Sequence, residues 1–507
     1  MKIIRTLLMP YCAVFAAASY SATSVNVTSV GRDATTGRIS VSYTLSGDSA
    51  IVTFGVRVKT DGGAWLAVDD DNVSHVVGDV NRQVDPSADV RRIDWMASNE
   101  RNPLVAADGD WQVVVRAWPL SSPPTNFIYK VVDLASGKSE YYRDVSQLPE
   151  GIGSDAYRTS HMVFRRIPAA GVVWRMGSSA DESGRAAEDW PGERSHYVRL
   201  SHDYYMAVFE TTQRQMANIT GWNIASYNKF STDRDTRPMD SVRNVCYSVG
   251  YPGIRGYPSW PNADYDTAHA VSPGSFVALM RAKLNMGVEL DLPTEAQWEF
   301  AARAGCDSSL YSGADLTVTA GGEDPALSSL GRYRYNGGYM DGSEPDYSCG
   351  TGHGTARVGS YEPNAWGLYD MLGNVGEWCL DAVGSYAAST AESPAVDPSG
   401  AAASNNRVIR GGDWRSEPSA CRAAARSYHN YYDENPGPYW GVRMCITLKD
   451  PVVVAEDAGS SGPLDARSGD SGSAVLESFD SRDSTSWFAI LPGVFSSDPP
   501  GCLLLFH

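Results

Sequence analysis

A series of short motifs rich in glycine, tryptophan and arginine runs through the middle of the chain and constrains its fold more than any other feature. The motifs occupy residues 166–168, 176–178, 196–200, 205–212, 292–303, 364–378, 410–414, 422–426 and 441–443. The chain contains 48 Gly, 14 Trp and 27 Tyr, a composition that favours irregular structure pinned by aromatic side chains. We therefore expect a domain built mainly from short motifs and ordered loops rather than from long helices.

One motif predicts a short helix near residue 295. Thr294 can cap the helix, and Gln297, three residues on, can return a capping-box hydrogen bond. Trp298, Ala301 and Ala302 then fall on one helical face at spacings of three and four residues, so that face is expected to pack inward. This helix is predicted to be scaffold.

Residues 370–377 form a different kind of motif. Two carboxylates, Asp370 and Glu377, flank a turn that contains Gly373. Ca²⁺ takes six to eight oxygens from carboxylates, carbonyls and water, and the carbonyls of such a turn can point inward. The alternative is a solvated acidic turn, and the residues alone leave both interpretations open.

Together and in this order, the motifs resemble the formylglycine-generating enzyme (sulfatase-modifying factor) family over residues 161–449. The resemblance implies an α+β fold, a variant of the C-type lectin fold that is poor in regular structure. It also implies a structural calcium ion with the ligands Asp370, Gly373, Val375 and Glu377. The first and last would bind through their side chains and the middle two through backbone carbonyls.

The family's enzyme oxidises a substrate cysteine to formylglycine with a copper ion held by two cysteines, since Cu(I) prefers sulfur ligands. The pair is expected between Gly412 and Cys421, yet this segment contains a single cysteine. Counting forward from Gly412 puts Ser416 at the first catalytic position, and counting back from Arg426 puts Pro418 at the second. We therefore predict no catalytic residues of the family's type and no bound copper.

Arginine and tyrosine are concentrated between residues 414 and 440. The resemblance places here the substrate cleft of the enzymes and the variable ligand-binding face of retroelement-diversified lectin-fold proteins. Tyrosine offers contact area at low entropic cost, and arginine offers planar hydrogen bonding. The predicted ligand-binding face consists of Trp414, Arg415, Arg426, Tyr428, Tyr431 and Tyr432. The alternative is that these side chains only pin irregular loops.

The resemblance also predicts a disulfide between Cys379 and Cys421. Cys379 directly follows the motif at residues 364–378, and Cys421 begins a strand that runs near this motif in the fold. The alternative is that each is a buried free thiol.

Residues 1–21 are typical of a secretory signal peptide, because Lys2 and Arg5 precede an apolar stretch that small residues follow. The alternative is an N-terminal membrane anchor, but the apolar stretch is short for a membrane span. We therefore expect a secreted or periplasmic protein without stable membrane insertion.

The segments that flank the motifs differ in composition. Residues 22–135 predict a small all-β sandwich of immunoglobulin or fibronectin type. Its strand candidates are residues 39–45, 51–58, 111–118 and 127–131. Residues 136–160 are predicted to be a linker, and the Ser-, Gly- and Asp-rich tail at residues 450–507 is predicted to be largely disordered.

The formal net charge of −18 argues against nucleic acid as a partner, because its binding needs a basic surface. It leaves calcium open. Two functions remain. The first is a secreted recognition protein that uses a calcium-stabilised scaffold to bind a peptide or glycan. The second is an active enzyme of the sulfatase-modifying type, converting cysteine to formylglycine or performing a related oxidation, with a rebuilt site.

Overall fold

A computed structural model of the chain describes residues 23–33, 35–59, 63, 65–68, 73, 75–96, 111–185, 192–222, 233–241, 253–255, 271–337, 354–401, 404, 406–430, 437–450 and 456–461. Strands account for 34% of the structure and helices for 13%. The protein is therefore strand-rich, and the predicted α+β class is not confirmed.

The elements are numbered along the chain. The strands are β1 (Ser24–Arg32), β2 (Ile39–Ser46), β3 (Ala50–Lys59), β4 (Trp65–Val68), β5 (Val76–Gly78), β6 (Arg82–Val84), β7 (Ser87–Trp95), β8 (Trp111–Pro119), β9 (Tyr129–Asp133), β10 (Ser139–Tyr142), β11 (His161–Ile167), β12 (Val173–Met176), β13 (His196–Arg199), β14 (Tyr204–Ala207), β15 (Leu290–Asp291), β16 (Gly376–Ala382), β17 (Ala395–Val396), β18 (Asn406–Arg410), β19 (Arg426–Asn430), β20 (Trp440–Gly441), β21 (Cys445–Thr447) and β22 (Glu456–Ser461). The α-helices are α1 (Gln213–Thr220), α2 (Phe276–Leu284) and α3 (Glu295–Arg303).

The chain divides into two compact units, and the first contains the described parts of residues 1–80, 84–119 and 454–469. One of its sheets has the strand order β1-β2-β7-β5, and β4, β3, β8 and β22 form a second set of antiparallel pairs. Both contribute to one core, in which the rings of Phe54 and Trp95 lie 5.7 Å apart. The strands predicted at residues 39–45, 51–58 and 111–118 lie within β2, β3 and β8.

Three segments differ from the sequence-based expectation. Residues 127–131, predicted as a strand of the first domain, overlap β9, which pairs with β11 in the second unit. The predicted linker at residues 136–160 contains β10, which pairs with β9. Within the tail predicted to be disordered, β22 pairs with β8. Such pairing uses main-chain hydrogen bonds, so a Ser- and Gly-rich composition gives no signal for it.

The second unit contains the described parts of residues 81–83 and 120–453. Its sheets have the strand orders β15-β21-β14-β11-β9-β10, β12-β13-β17 and β19-β18-β16-β20. The helix predicted near residue 295 is confirmed as α3, with the Thr294–Gln297 capping box present and Trp298 fully buried. In the part of the chain that the structure describes, none of the helices is both long and apolar enough to cross a membrane.

Candidate functional site

The turn at residues 370–377, which leads into β16, has a constrained backbone. Asp370, Gly373 and Asn374 have positive φ angles of 57°, 98° and 62°. A Cβ atom on Gly373 would collide with the backbone carbonyl of Arg332. Only glycine fits there, because it has no Cβ and tolerates positive φ.

Three carboxylates are buried together around this turn. Glu210, Asp370 and Glu377 are each at most 1% exposed. Glu210 accepts hydrogen bonds from the Val375 N–H at 3.1 Å and from the Asn374 side-chain amide at 2.5 Å. Burial, together with the charges of the other two carboxylates, raises the pKa of Glu210 well above its usual range.

Asp370 has one satisfied and one unsatisfied oxygen. Its Oδ2 accepts a hydrogen bond from the Gly359 N–H at 2.6 Å. Its Oδ1 is buried and has no hydrogen-bond partner among the described residues. Burial raises the pKa of Asp370 to about 6. A buried polar atom without a partner costs free energy, so this oxygen is a candidate ligand for a cation.

Arg443 is the buried cation that faces the three carboxylates. Its Nη2 donates to Glu377 Oε1 at 2.6 Å, and its Nε lies 3.0 Å from both oxygens of Glu377. The Trp298 indole N–H donates to Glu377 Oε2 at 2.7 Å. Both oxygens of Glu377 therefore already accept hydrogen bonds from the protein.

The predicted calcium ligands fit a cation unequally. Asp370 offers a buried oxygen without a partner, whereas Arg443 and Trp298 occupy the oxygens of Glu377. Within the described ranges, no three or more His, Cys, Asp or Glu side chains are arranged so that they could hold a metal ion together. The predicted set contains only two carboxylates, so its backbone carbonyls would have to supply much of the coordination.

Arg426, predicted on the ligand-binding face, instead belongs to a buried ion-pair cluster at the start of α3. Its side chain is 2% exposed, and its Nε and Nη2 lie 2.6 Å and 2.9 Å from the two carboxylate oxygens of Glu295. Its guanidinium also stacks on the Tyr386 ring at 3.9 Å. Arg426 therefore holds the protein's own elements together, and its placement on an exposed face is wrong.

Trp414 is also buried, with its indole N–H donating to the Pro438 carbonyl at 2.9 Å. Its placement on the face is wrong for the same reason. Arg415 and Tyr428 do reach the surface, with exposed fractions of 27% and 39%. Tyr431 and Tyr432 lie outside the described residues.

The surface beside Arg415 carries a continuous stack of rings. The Arg415 guanidinium lies 3.4 Å from the centre of the Tyr439 ring. Tyr439 meets Trp440 edge-on at 4.9 Å, and Trp440 lies 3.9 Å from His429. We call Arg415, His429, Tyr439 and Trp440 the aromatic stack. Its members are only partly buried. Arg415 is the member of the predicted face that belongs to the stack, whereas His429, Tyr439 and Trp440 lie in the same stretch of the chain but were not predicted as site residues.

The segment expected to carry catalytic thiols has other groups. The Ser416 hydroxyl accepts a hydrogen bond from the Asp413 N–H at 3.0 Å, and Pro418 is buried at the start of a short 3-10 helix. Cys421 is fully buried with its Sγ next to Gly412. Burial raises the pKa of the Cys421 thiol, which disfavours the thiolate that binds metal.

The predicted disulfide between Cys379 and Cys421 is absent, and the structure has two free buried thiols in its place. The Cys379 thiol faces the Glu377 carbonyl at 3.9 Å, whereas the Cys421 thiol lies beside Gly412. The two side chains share one apolar core but point to different neighbours.

Glu210 is the member of the site that the sequence did not single out. It lies in the motif at residues 205–212, but its partners are 164 and 165 residues away along the chain. The available signal was an acidic residue in an otherwise apolar stretch after β14, which indicates a buried and satisfied carboxylate.

Several known proteins resemble parts of this chain. The formylglycine-generating enzyme of Streptomyces coelicolor is 41% identical over 143 residues, which cover 27% of this chain and 40% of that protein. The mouse protein named inactive C-alpha-formylglycine-generating enzyme 2 is 33% identical over 124 residues, covering 24% of this chain and 31% of that protein. The solved structure of Treponema denticola variable protein 1 aligns with 22% identity and a TM-score of 0.37, covering 56% of this chain and 95% of that one.

The aligned region thus spans less than half the length of these two enzyme-family relatives. The family match is longer. Residues 165–448, more than half of the chain, match the sulfatase-modifying factor enzyme 1-like domain. This region includes α3, the turn at residues 370–377 and the aromatic stack. The chain therefore belongs to the sulfatase-modifying factor enzyme 1-like family.

Proposed function

We propose that this protein is an exported recognition module that binds a peptide or glycan on a calcium-stabilised, lectin-like scaffold and does not oxidise cysteine. The observation that carries the proposal is the state of Cys421. It is the single cysteine between residues 412 and 421, and it is buried with a raised thiol pKa. A copper ion that needs two thiolates has no such pair in this segment.

The aromatic stack supports the recognition role. Its rings are partly exposed, and Arg415 adds planar hydrogen-bond donors at the same place. Aromatic and arginine side chains dominate the binding energy of many interfaces. A peptide side chain or a sugar ring could stack there without any redox chemistry.

Asp370 supports the calcium part of the proposal, because its buried Oδ1 lacks a partner among the described residues. The carbonyls of Gly373 and Val375 would add neutral oxygens. Glu377 would join the set by exchanging a hydrogen bond from Arg443 or Trp298 for the ion. The bound ion would add positive charge beside carboxylates that now face Arg443 and, at Asp370, also Arg158. In this role calcium is structural and takes no part in chemistry.

The second candidate is an oxidase with a rebuilt site. It is favoured by the relative named formylglycine-generating enzyme at 41% identity. The relative named inactive favours the first candidate instead. A single assay separates the two.

The test uses the full chain and a peptide with the Cys-x-Pro-x-Arg sulfatase motif. We expect no change in peptide mass after incubation with Cu(I), oxygen and a reductant. Formation of the aldehyde above the rate of a heat-inactivated control would establish the oxidase and overturn the proposal.

A parallel titration with the same peptide and a panel of glycans measures binding. A ligand that uses the aromatic stack should bind Arg415→Ala about fivefold or more weakly, as expected for loss of an interface anchor. The matched control is Arg357→Ala, a partly exposed arginine that pairs with Asp155 outside the stack. Equal binding by both variants and the wild type would remove the stack from the proposal.

A further inference from the structure

A cavity of about 630 Å³ lies in the second unit, next to the N-terminus of α3. Its volume falls within the range of about 300–1,000 Å³ that small-molecule sites occupy. Its lining comes from β16, from the start of α3, from the segment around β15, from the end of β21 and from the residues that follow β13, β17 and β21. The turn at residues 370–377, the aromatic stack and Cys421 do not contribute to it.

The inner wall of the cavity is apolar. Leu200, Leu292, Leu380 and Leu448 line it and are each less than 8% exposed. A ligand that enters would therefore exchange water for aliphatic contact, which is favourable because apolar surface is removed from water.

The polar groups within this wall are already satisfied by the protein. Gln297 donates to the Thr447 hydroxyl at 3.0 Å. Asp291 forms ion pairs with Arg255 at 3.0 Å and with Arg281 at 2.8 Å. These groups need no ligand, so the wall selects for an apolar body.

The exposed lining residues mark the opening of the cavity and carry an excess of acidic groups. Asp397 and Asp450 are exposed there with one lysine, Lys449, and Glu289, which also lines the cavity, is partly buried. The His202 ring also lines the opening, with Nδ1 at 3.3 Å from Asp450 Oδ1. The three carboxylates outnumber Lys449 and the His202 ring, so the lining favours a cationic group at this position.

We infer that this cavity binds a small amphiphilic amine, with the aliphatic part against the leucines and the ammonium at the acidic opening. Two independent features of the cavity determine the chemical class of ligand that it binds. The leucine wall requires an apolar chain, and the charge of the opening selects a cation over an anion of the same length. This site is separate from the one in the proposed recognition function.

The experiment is isothermal titration calorimetry of the full chain with n-octylamine, n-octanol and n-octanoate below their aggregation concentrations. We expect saturable binding of one octylamine, weaker binding of octanol and the weakest binding of octanoate. Asp397→Asn should weaken octylamine binding by about fivefold, as a partly exposed ion pair contributes up to about 1 kcal/mol, and should leave octanol unchanged.

Asp397→Asn keeps the fold-relevant features of this position. Asp397 has a φ angle of 41° and accepts a hydrogen bond from the Ser201 N–H at 2.8 Å. Asparagine tolerates a positive φ angle, and its side-chain oxygen can accept the same hydrogen bond. Asp307→Asn, at an aspartate whose side chain is 79% exposed and which does not line the cavity, is the charge-matched control.

A blocking variant tests the location. Val288 lines the cavity and is 55% exposed, so Val288→Trp should fill the opening without disturbing the core and should abolish binding of all three probes. Val173→Trp, at an exposed valine elsewhere, should bind like the wild type. Octanoate binding as tightly as octylamine, or unchanged binding by Val288→Trp, would overturn the inference.

Discussion

At the residue scale, Glu377 shows that a sequence motif can predict the local turn around a side chain without predicting which groups that side chain binds. The sequence predicts Glu377 as a calcium ligand. In the structure its carboxylate accepts hydrogen bonds from Arg443, 66 residues further along the chain, and from Trp298. The spacing of a motif specifies the local turn. It carries no information on which distant arginine will need a buried counter-ion.

The first prediction concerns Cys379 and Cys421. Both are fully buried, and burial raises the pKa of both thiols. We expect the native protein to resist iodoacetamide at both positions, because the thiolate is the reactive form. After unfolding in guanidinium chloride without reductant, both should be alkylated, as measured by peptide mass mapping. A Cys379–Cys421 disulfide-linked peptide in that map would contradict the structure.

The second prediction concerns Asp381. It is buried and accepts a hydrogen bond from the Glu295 N–H at 2.7 Å. Burial, followed by the charge of Glu295, raises its pKa to about 7. Between pH 4 and 7 the folded state therefore holds a proton on Asp381 that the unfolded state has released, and the contribution of Asp381 to the free energy of unfolding falls as pH rises through this window.

Asp381→Asn removes this dependence and keeps a side-chain acceptor. The difference in free energy of unfolding, Asp381→Asn minus wild type, should become more positive from pH 4 to pH 7, by an amount on the order of 3 kcal/mol. Urea denaturation at several pH values measures it. Asp307→Asn, at a largely exposed position, should follow the wild type at every pH. Parallel pH profiles for the wild type and Asp381→Asn would show that Asp381 is ionised in the native state.

At the element scale, the sequence is most informative where a signal is local. Strand β2 alternates buried and partly exposed residues along its length, as its apolar alternation predicts. The capping box of α3 is likewise contained within four residues. Strand β22 has no such pattern, since its pairing with β8 joins residues more than 300 positions apart through the backbone.

The third prediction tests the cap of α3. The Thr294 hydroxyl accepts from the Gln297 N–H at 3.2 Å, and the Gln297 side chain accepts from the Thr294 N–H at 2.9 Å. Thr294→Ala should lower the free energy of unfolding by about 1 kcal/mol, the usual effect of losing an N-cap. Thr294→Ser keeps the hydroxyl and should lie close to the wild type in the same denaturation assay. Equal destabilisation by both would point to lost methyl packing.

At the scale of the whole molecule, the protein buries several arginine side chains in ion pairs with carboxylates. Arg410, Arg422, Arg426 and Arg443 all have buried guanidinium groups in ion pairs. Breaking one side of such a pair typically costs about 3–5 kcal/mol. The sequence shows where the arginines are but not which carboxylates they pair with. For this reason Arg426 was predicted on a ligand-binding face.

This network also decides how the calcium proposal should be tested. Glu377→Ala would leave Arg443 buried without its counter-ion and would strongly destabilise the domain whether or not calcium binds there. Asp370 is the better position, because its Oδ1 has no partner among the described residues. A change at Asp370 therefore affects the ion more directly than it affects the arginine network.

The fourth prediction is that calcium raises the melting temperature of the full chain and that EDTA lowers it. Binding only to the folded state stabilises by about 2.7 kcal/mol at a hundredfold excess over Kd. Asp370→Ala should lose the calcium-dependent shift, whereas Asp370→Asn keeps a side-chain oxygen and should retain part of it. The readout is the difference between calcium and EDTA for each variant, so a general loss of stability does not imitate the result. A wild-type melting temperature that is the same in calcium and EDTA, or a full shift in Asp370→Ala, would exclude calcium from this turn.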